Sequence, residues 1–165
     1  MLALEHFPEH GGFVYLQGRA YAEMGELDRV MSSFQRAIKM DPRNENAHIS
    51  LGNLYFNQGK YVYAALAFSD VVYLNNYDVD ARYMQGLSYF NANEWGRATS
   101  AWEDLLHYSP QHPLVKILLP QAYYILAVEY NRLGESTLGR TSFSKALSVN
   151  NHSYSWLPGA MRSLG

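Results

Sequence analysis

Histidines, paired carboxylates and glycine loops are the residues in this chain that could do chemistry. His6 and His10 stand four apart, the spacing at which two imidazoles on one helical turn could ligate a metal. Pro8 lies between them and spoils that helix, and no further ligand is near. Glu103 and Asp104 are adjacent carboxylates, but neighbours on a helix do not face each other, so they read as a solvated polar face. Gly52 to Gly59-Lys60 has the outline of a phosphate loop, yet the spacing is wrong and neither Ser nor Thr follows the lysine. Asn151-His152-Ser153 matches a glycosylation acceptor, a match short enough to arise by chance. The G-x-S-x-G, H-E-x-x-H and G-x-G-x-x-G signatures are absent. With no cysteine, disulfides, thiol nucleophiles and Cys-ligated zinc are excluded. The sequence therefore reads as a non-enzyme with no cofactor and no metal.

Composition narrows the remaining classes. The 165 residues are 48% hydrophobic and 17% charged, enough apolar material for a core and too little charge for a disordered segment. A net charge of −2 argues against nucleic acid, whose phosphates require clustered Lys and Arg. No stretch approaches the length of a membrane span, so direct membrane insertion is not expected. Residues 1–6 show neither a basic leader nor a long apolar run, which favours the cytoplasm while leaving the compartment open. Fourteen tyrosines are unusual at this length, and Tyr suits half-buried surfaces and interfaces.

The elements show themselves as a repeat. Pro42 lies 34 residues after Pro8, and Pro110 lies 68 after Pro42. Gly18, Gly52 and Gly86 recur in the same phase, each followed three residues on by Tyr21, Tyr55 and Tyr89. Gly25, Gly59 and Asn93 come next, then Val30, Ala64 and Ala98, then Phe34, Phe68 and Trp102. Ala127, Tyr130, Gly134, Gly139, Phe143 and Ala146 form a fourth copy. Each position has a physical reason. A glycine or alanine lets two antiparallel helices approach closely, and the aromatic residues fill the space beside that contact. Gly25, Gly59, Asn93 and Gly134 sit where the first helix must stop in a left-handed residue. Proline cannot continue a helix and marks the turn into the next hairpin.

This pattern resembles the tetratricopeptide repeat family over nearly the whole chain. The resemblance implies an all-α fold, a right-handed superhelical solenoid of antiparallel helix pairs with about four repeats. The repeats are placed at 11–44, 45–78, 79–112 and 113–153, preceded by 1–10 as the end of an earlier repeat's second helix. Residues 154–165 are a tail or a partial capping helix. There are departures from the family pattern. Val30 stands where a small residue is usual, as do Val71 and Leu105 further on, and repeat four has Ser136 where the others have Leu27, Tyr61 and Trp95. Repeat four also carries a seven-residue insertion, about two helical turns, so the face is kept. We expect its first helix to be extended at the N-terminus, opening at Pro113, bent at Pro120, with Leu114, Ile117 and Leu118 on one face.

In this family the first helices line a concave groove. The matching positions here are Tyr15, Ile49, Tyr83 and Tyr124; Arg19, Asn53, Leu87 and Val128; Ala22, Phe56, Phe90 and Asn131; and Glu23, Asn57, Asn91 and Arg132. Aromatic anchors with interleaved amides suit a peptide or helix, because Asn can serve both groups of an extended backbone. Positions that form a carboxylate clamp in some relatives are Tyr15, Arg19, Ser50, Asp80 and Met84, of which only Arg19 is basic, so a clamp is not expected. The implied function is a scaffold or adaptor binding a protein or peptide partner, as part of a larger protein or assembly. The alternatives are a small chaperone of a secretion system, a module that associates with copies of itself, and the accessory domain of an enzyme.

Overall fold

The computed structural model describes residues 10–149. Among these it shows eight α-helices and no strand: α1 (Gly11–Glu23), α2 (Leu27–Met40), α3 (Glu45–Asn57), α4 (Tyr61–Leu74), α5 (Val79–Asn91), α6 (Trp95–Tyr108), α7 (Pro113–Arg132) and α8 (Ser136–Val149). Residues 1–9 of the partial helix expected over 1–10, the tail 154–165, His6 and Asn151 lie outside the described residues.

The turn inside each pair is set by one residue. Gly25, Gly59, Asn93 and Gly134 have φ of 75°, 72°, 62° and 82°, the left-handed conformation that stops a helix and points the chain back. The first helices of the second, third and fourth pairs are then started by a side chain, whereas α1 has no side-chain cap at His10. Asn44 Oδ1 accepts from the Ala47 amide at 3.1 Å, Asp78 Oδ1 from Ala81 at 2.8 Å, and His112 Nδ1 from Val115 at 3.3 Å. For His112 that bond requires a lone pair on Nδ1, so in the neutral ring the hydrogen sits on Nε2.

The chain divides into two compact units between Ala81 and Arg82. In the first, α1 packs on α2, α2 on α3 and α3 on α4. Val14, Ala37 and Ala47 form one buried cluster, and Val30, Phe34 and Leu51 a second; Tyr15 and Ile38 lie against both. A Cβ placed on Gly18 would come within 2.7 Å of the Phe34 ring, and one on Gly52 within 3.0 Å of Phe68, so each glycine admits an aromatic ring at its Cα.

In the second unit, a Cβ on Gly86 would collide with the fully buried Trp102 indole, whose Nε1 donates to the Tyr83 carbonyl at 3.3 Å. The helix α7 runs unbroken for 20 residues, with Pro113 in its first turn and Pro120 inside it. Its core face is Val115, Leu119, Ala122 and Tyr123, whereas Leu114 and Ile117 are exposed and Leu118 is half-buried. The pair α7–α8 inverts the usual roles: Gly139 on the second helix is the close-approach residue, lying under the Asn131 side chain and the Ala127 carbonyl.

Candidate functional site

The groove residues read from the sequence fall on α1 and α3 in the first unit and on α5 and α7 in the second. In the first unit, Tyr15 and Arg19 stand one turn apart on α1, and Ile49, Asn53, Phe56 and Asn57 run along one side of α3. Tyr15 is half-buried and lies against Phe34 with ring centroids 5.7 Å apart. Phe56 meets the edge of Tyr61 at 5.2 Å. Ile49 is half-buried, while Arg19, Asn53 and Asn57 are exposed. The aromatic residues are thus held by their own helix pair, and polar side chains project beside them.

In the second unit, Tyr83 is half-buried and stacks on the His112 ring at 5.2 Å. Burial raises its hydroxyl above the ordinary tyrosine value. Phe90 is wedged against Trp95 at 5.1 Å and Trp102 at 5.7 Å, with Leu87 half-buried one turn before it. The Asn91 amide donates to the Leu87 carbonyl at 2.8 Å, a bond within its own helix. On α7, Tyr124 meets Phe143 edge-on at 6.3 Å and Val128 is exposed. Asn131 is half-buried, its amide lying over Gly139.

Two polar groupings escaped the sequence reading. The buried His48 places Nε2 3.1 Å from the Pro42 carbonyl and Nδ1 3.4 Å from an Asp70 carboxylate oxygen, in a cleft that Arg43, Tyr73 and Leu74 complete. Glu103, taken as part of a solvated face, receives Lys145 Nζ at 2.8 Å, and the same ammonium lies 3.4 Å from the Tyr123 hydroxyl. Burial works to raise the Glu103 carboxyl, but the hydrogen bonds from Lys145 and Tyr123 outweigh it and hold the group below the ordinary glutamate value. Burial, then Glu103 itself, pushes the Tyr123 hydroxyl well above the ordinary tyrosine value. No single residue type marks either grouping, since partners as far apart as Glu103 and Lys145 meet only once three helices are packed. Among the described residues no cluster of His, Asp and Glu could hold a metal ion, and no helix is long and apolar enough to cross a membrane.

Comparison with known proteins bears on the fold and the family. Models described as TPR repeat and tetratricopeptide repeat match residues 18–59, 80–112 and 120–153. Superkiller protein 3 of Schizosaccharomyces pombe is 27% identical over 121 residues, 73% of this chain and 9% of that protein. The general transcriptional corepressor trfA of Dictyostelium discoideum is 23% identical over 140 residues, 84% of this chain and 10% of that protein. The chain therefore spans about a tenth of the length of these relatives. Among solved structures, the first TPR of Spaghetti (RPAP3) bound to HSP90 peptide SRMEEVD has a TM-score of 0.62 at 19% identity, covering 76% of this chain and 99% of that one. MamA has a TM-score of 0.55 at 23% identity, covering 84% of this chain and 77% of that one. At these identities the structural likeness speaks for the helix-pair fold alone. Repeat models that match in three successive stretches, on helices whose turn glycines and aromatic contacts recur in phase, place the chain in the tetratricopeptide repeat family.

Proposed function

We propose that this chain is a protein-interaction module that binds a peptide or short helix of a partner on the first helices of its pairs. The observation that carries the reading is the pairing of braced aromatic side chains with polar neighbours. Tyr15, Phe56, Tyr83 and Phe90 are each half-buried and locked by a ring contact, and Arg19, Asn53, Asn57 and Asn91 stand exposed beside them. A ring already immobilised loses little entropy when a partner covers its open edge, which is what makes aromatic residues effective anchors. Exposed amides can match the donors and acceptors of a peptide backbone.

One structural neighbour is bound to an HSP90 peptide. At the positions that would clamp a terminal carboxylate, this chain carries Tyr15, Arg19, Ser50, Asp80 and Met84. Arg19 is the one cation among them and Asp80 opposes an anion, so the ligand we propose is recognised by apolar anchors and not by its C-terminus.

The test is a peptide display screen against the full chain, with hits retested by fluorescence anisotropy on Asn53→Ala, Phe56→Ala and Tyr83→Ala. Loss of about tenfold or more in affinity, the size typical of an anchor, is expected for Phe56→Ala or Tyr83→Ala, with a smaller loss for Asn53→Ala. Peptides that bind all three variants as well as the parent would refute the assignment.

A further inference from the structure

The second helices of the four pairs occupy equivalent positions and can be compared residue by residue. On α4 the outward stripe is Val62, Leu66 and Tyr73, flanked by Tyr63 and Asp70. The equivalent stripe is Asp28, Ser32 and Lys39 on α2, Gly96, Ser100 and His107 on α6, and Thr137, Thr141 and Ser148 on α8. At these three positions the other helices are polar or small and α4 alone is apolar, although α2 exposes Leu27 and Met40 and α8 exposes Leu138 and Leu147 elsewhere. Tyr73 is 88% exposed, Tyr63 59%, Leu66 51% and Val62 47%. Meanwhile the opposite side of α4 buries Ala64, Phe68 and Val71 in the core. A helix apolar on all sides is ordinarily covered on all sides.

The charge on this face is equally specific. Asp70 is the one charged residue of α4, and its side chain is 63% exposed. It is oriented from behind by His48, which is itself buried and bonded to the Pro42 carbonyl. Tyr63 is braced against Tyr55 at 5.5 Å. The exposed apolar stripe is therefore flanked by a braced tyrosine ring and a positioned carboxylate.

We propose that the outward face of α4 docks an amphipathic helix of a partner protein, its apolar stripe laid along Val62, Leu66 and Tyr73 and a Lys or Arg reaching Asp70. Two observations select this occupant. The 14 residues of α4 make a ridge about 21 Å long and about 10 Å wide. That footprint suits one helix and falls well short of the roughly 800 Å² per partner that a stable dimer buries. Docked through the same stripe, the α4 of a second copy would bring no cation of its own, only a second Asp70 carboxylate set against the first.

The test uses two labelled synthetic helices about 14 residues long, with leucines at one-turn spacing and either Lys or Glu at the position facing Asp70. Binding to the full chain is read by anisotropy. The Lys helix is expected to bind more tightly than the Glu helix, and Asp70→Asn is expected to erase that difference. Leu66→Ser with Tyr73→Ser, both on the surface, is expected to weaken the Lys helix by about tenfold or more while circular dichroism stays unchanged. Asn53→Ala, on α3, is expected to leave it intact. The proposal is overturned if neither helix binds, if the Lys and Glu helices bind alike, or if Asn53→Ala and not the surface pair weakens binding. A dimer in light scattering that the surface pair converts to monomer would overturn it in favour of a second copy.

Discussion

A Cβ on Gly86 would stand inside the van der Waals envelope of the Trp102 indole, with no solvent for the ring to retreat into. Gly86→Ala should therefore cost about 1–3 kcal/mol, the usual penalty for overpacking a filled core. The matched control is Gly96→Ala in the first turn of α6, where a Cβ meets nothing within 4 Å. There the backbone entropy of glycine is the only term, and the substitution should stabilise by about 0.5–1 kcal/mol. Urea unfolding of the two variants checks both signs; equal effects would mean that glycine conformation and not ring contact governs position 86. A second residue-level consequence concerns Glu103. Its carboxyl is held below the ordinary value in the folded chain, so its stabilising contribution is present above the unfolded carboxylate range and is lost as pH falls through the folded value. Glu103→Gln should accordingly be less stable than the parent at neutral pH, and the gap should close on acidification below about pH 4. With both partners near half exposed, the difference should stay within about 1 kcal/mol.

At the scale of the helix, start and stop signals recur with the same period but not with the same visibility. The stops are carried by Gly25, Gly59, Asn93 and Gly134, and because a left-handed residue is nearly always Gly or Asn, they can be read from the sequence by identity. The starts are carried by Asn44, Asp78 and His112, also 34 residues apart, and three different side chains doing one job do not register as a repeat. The glycine-against-aromatic contacts were legible for the same reason as the stops. The outward face of α4 and the His48–Asp70 contact were not, since alternating small and large apolar residues from Tyr61 to Leu74 do not say which side meets solvent until the neighbouring helix is placed. The groove residues came from resemblance; what the sequence could not supply was that Asn91 bonds within its own helix and Asn131 lies over Gly139. Two substitutions test the signals. Asn93→Gly removes the Cβ from a residue at φ 62° and should stabilise by about 0.5–1 kcal/mol. Asp78→Ala removes the 2.8 Å cap of α5 and should cost about 1 kcal/mol. Thermal melts of both would show it, and a loss on Asn93→Gly would mean that the Asn side chain has a role beyond its conformation.

For the molecule as a whole, the relevant fact is that each unit has a core of its own. Phe68 is buried between α3 and α4 in the first, and Trp102 between α5 and α6 in the second. In arrays of helix pairs, stability is close to a sum of local terms and nearest-neighbour terms, so a defect weakens its surroundings first. Truncating either ring to alanine should cost about 3–5 kcal/mol where it acts. Native-state hydrogen exchange should then resolve the two variants: Phe68→Ala should release protection in α3 and α4 before α7 and α8, and Trp102→Ala should release it in α5 and α6 before α1 and α2. If either variant instead lowers protection evenly along all eight helices, the chain unfolds as one cooperative body. The separate cores would then be a matter of geometry and not of energy. The outcome also bears on binding. A chain whose pairs open independently could let one helix face adapt to a partner while another stays rigid, whereas a single cooperative body would present all its faces in one fixed arrangement.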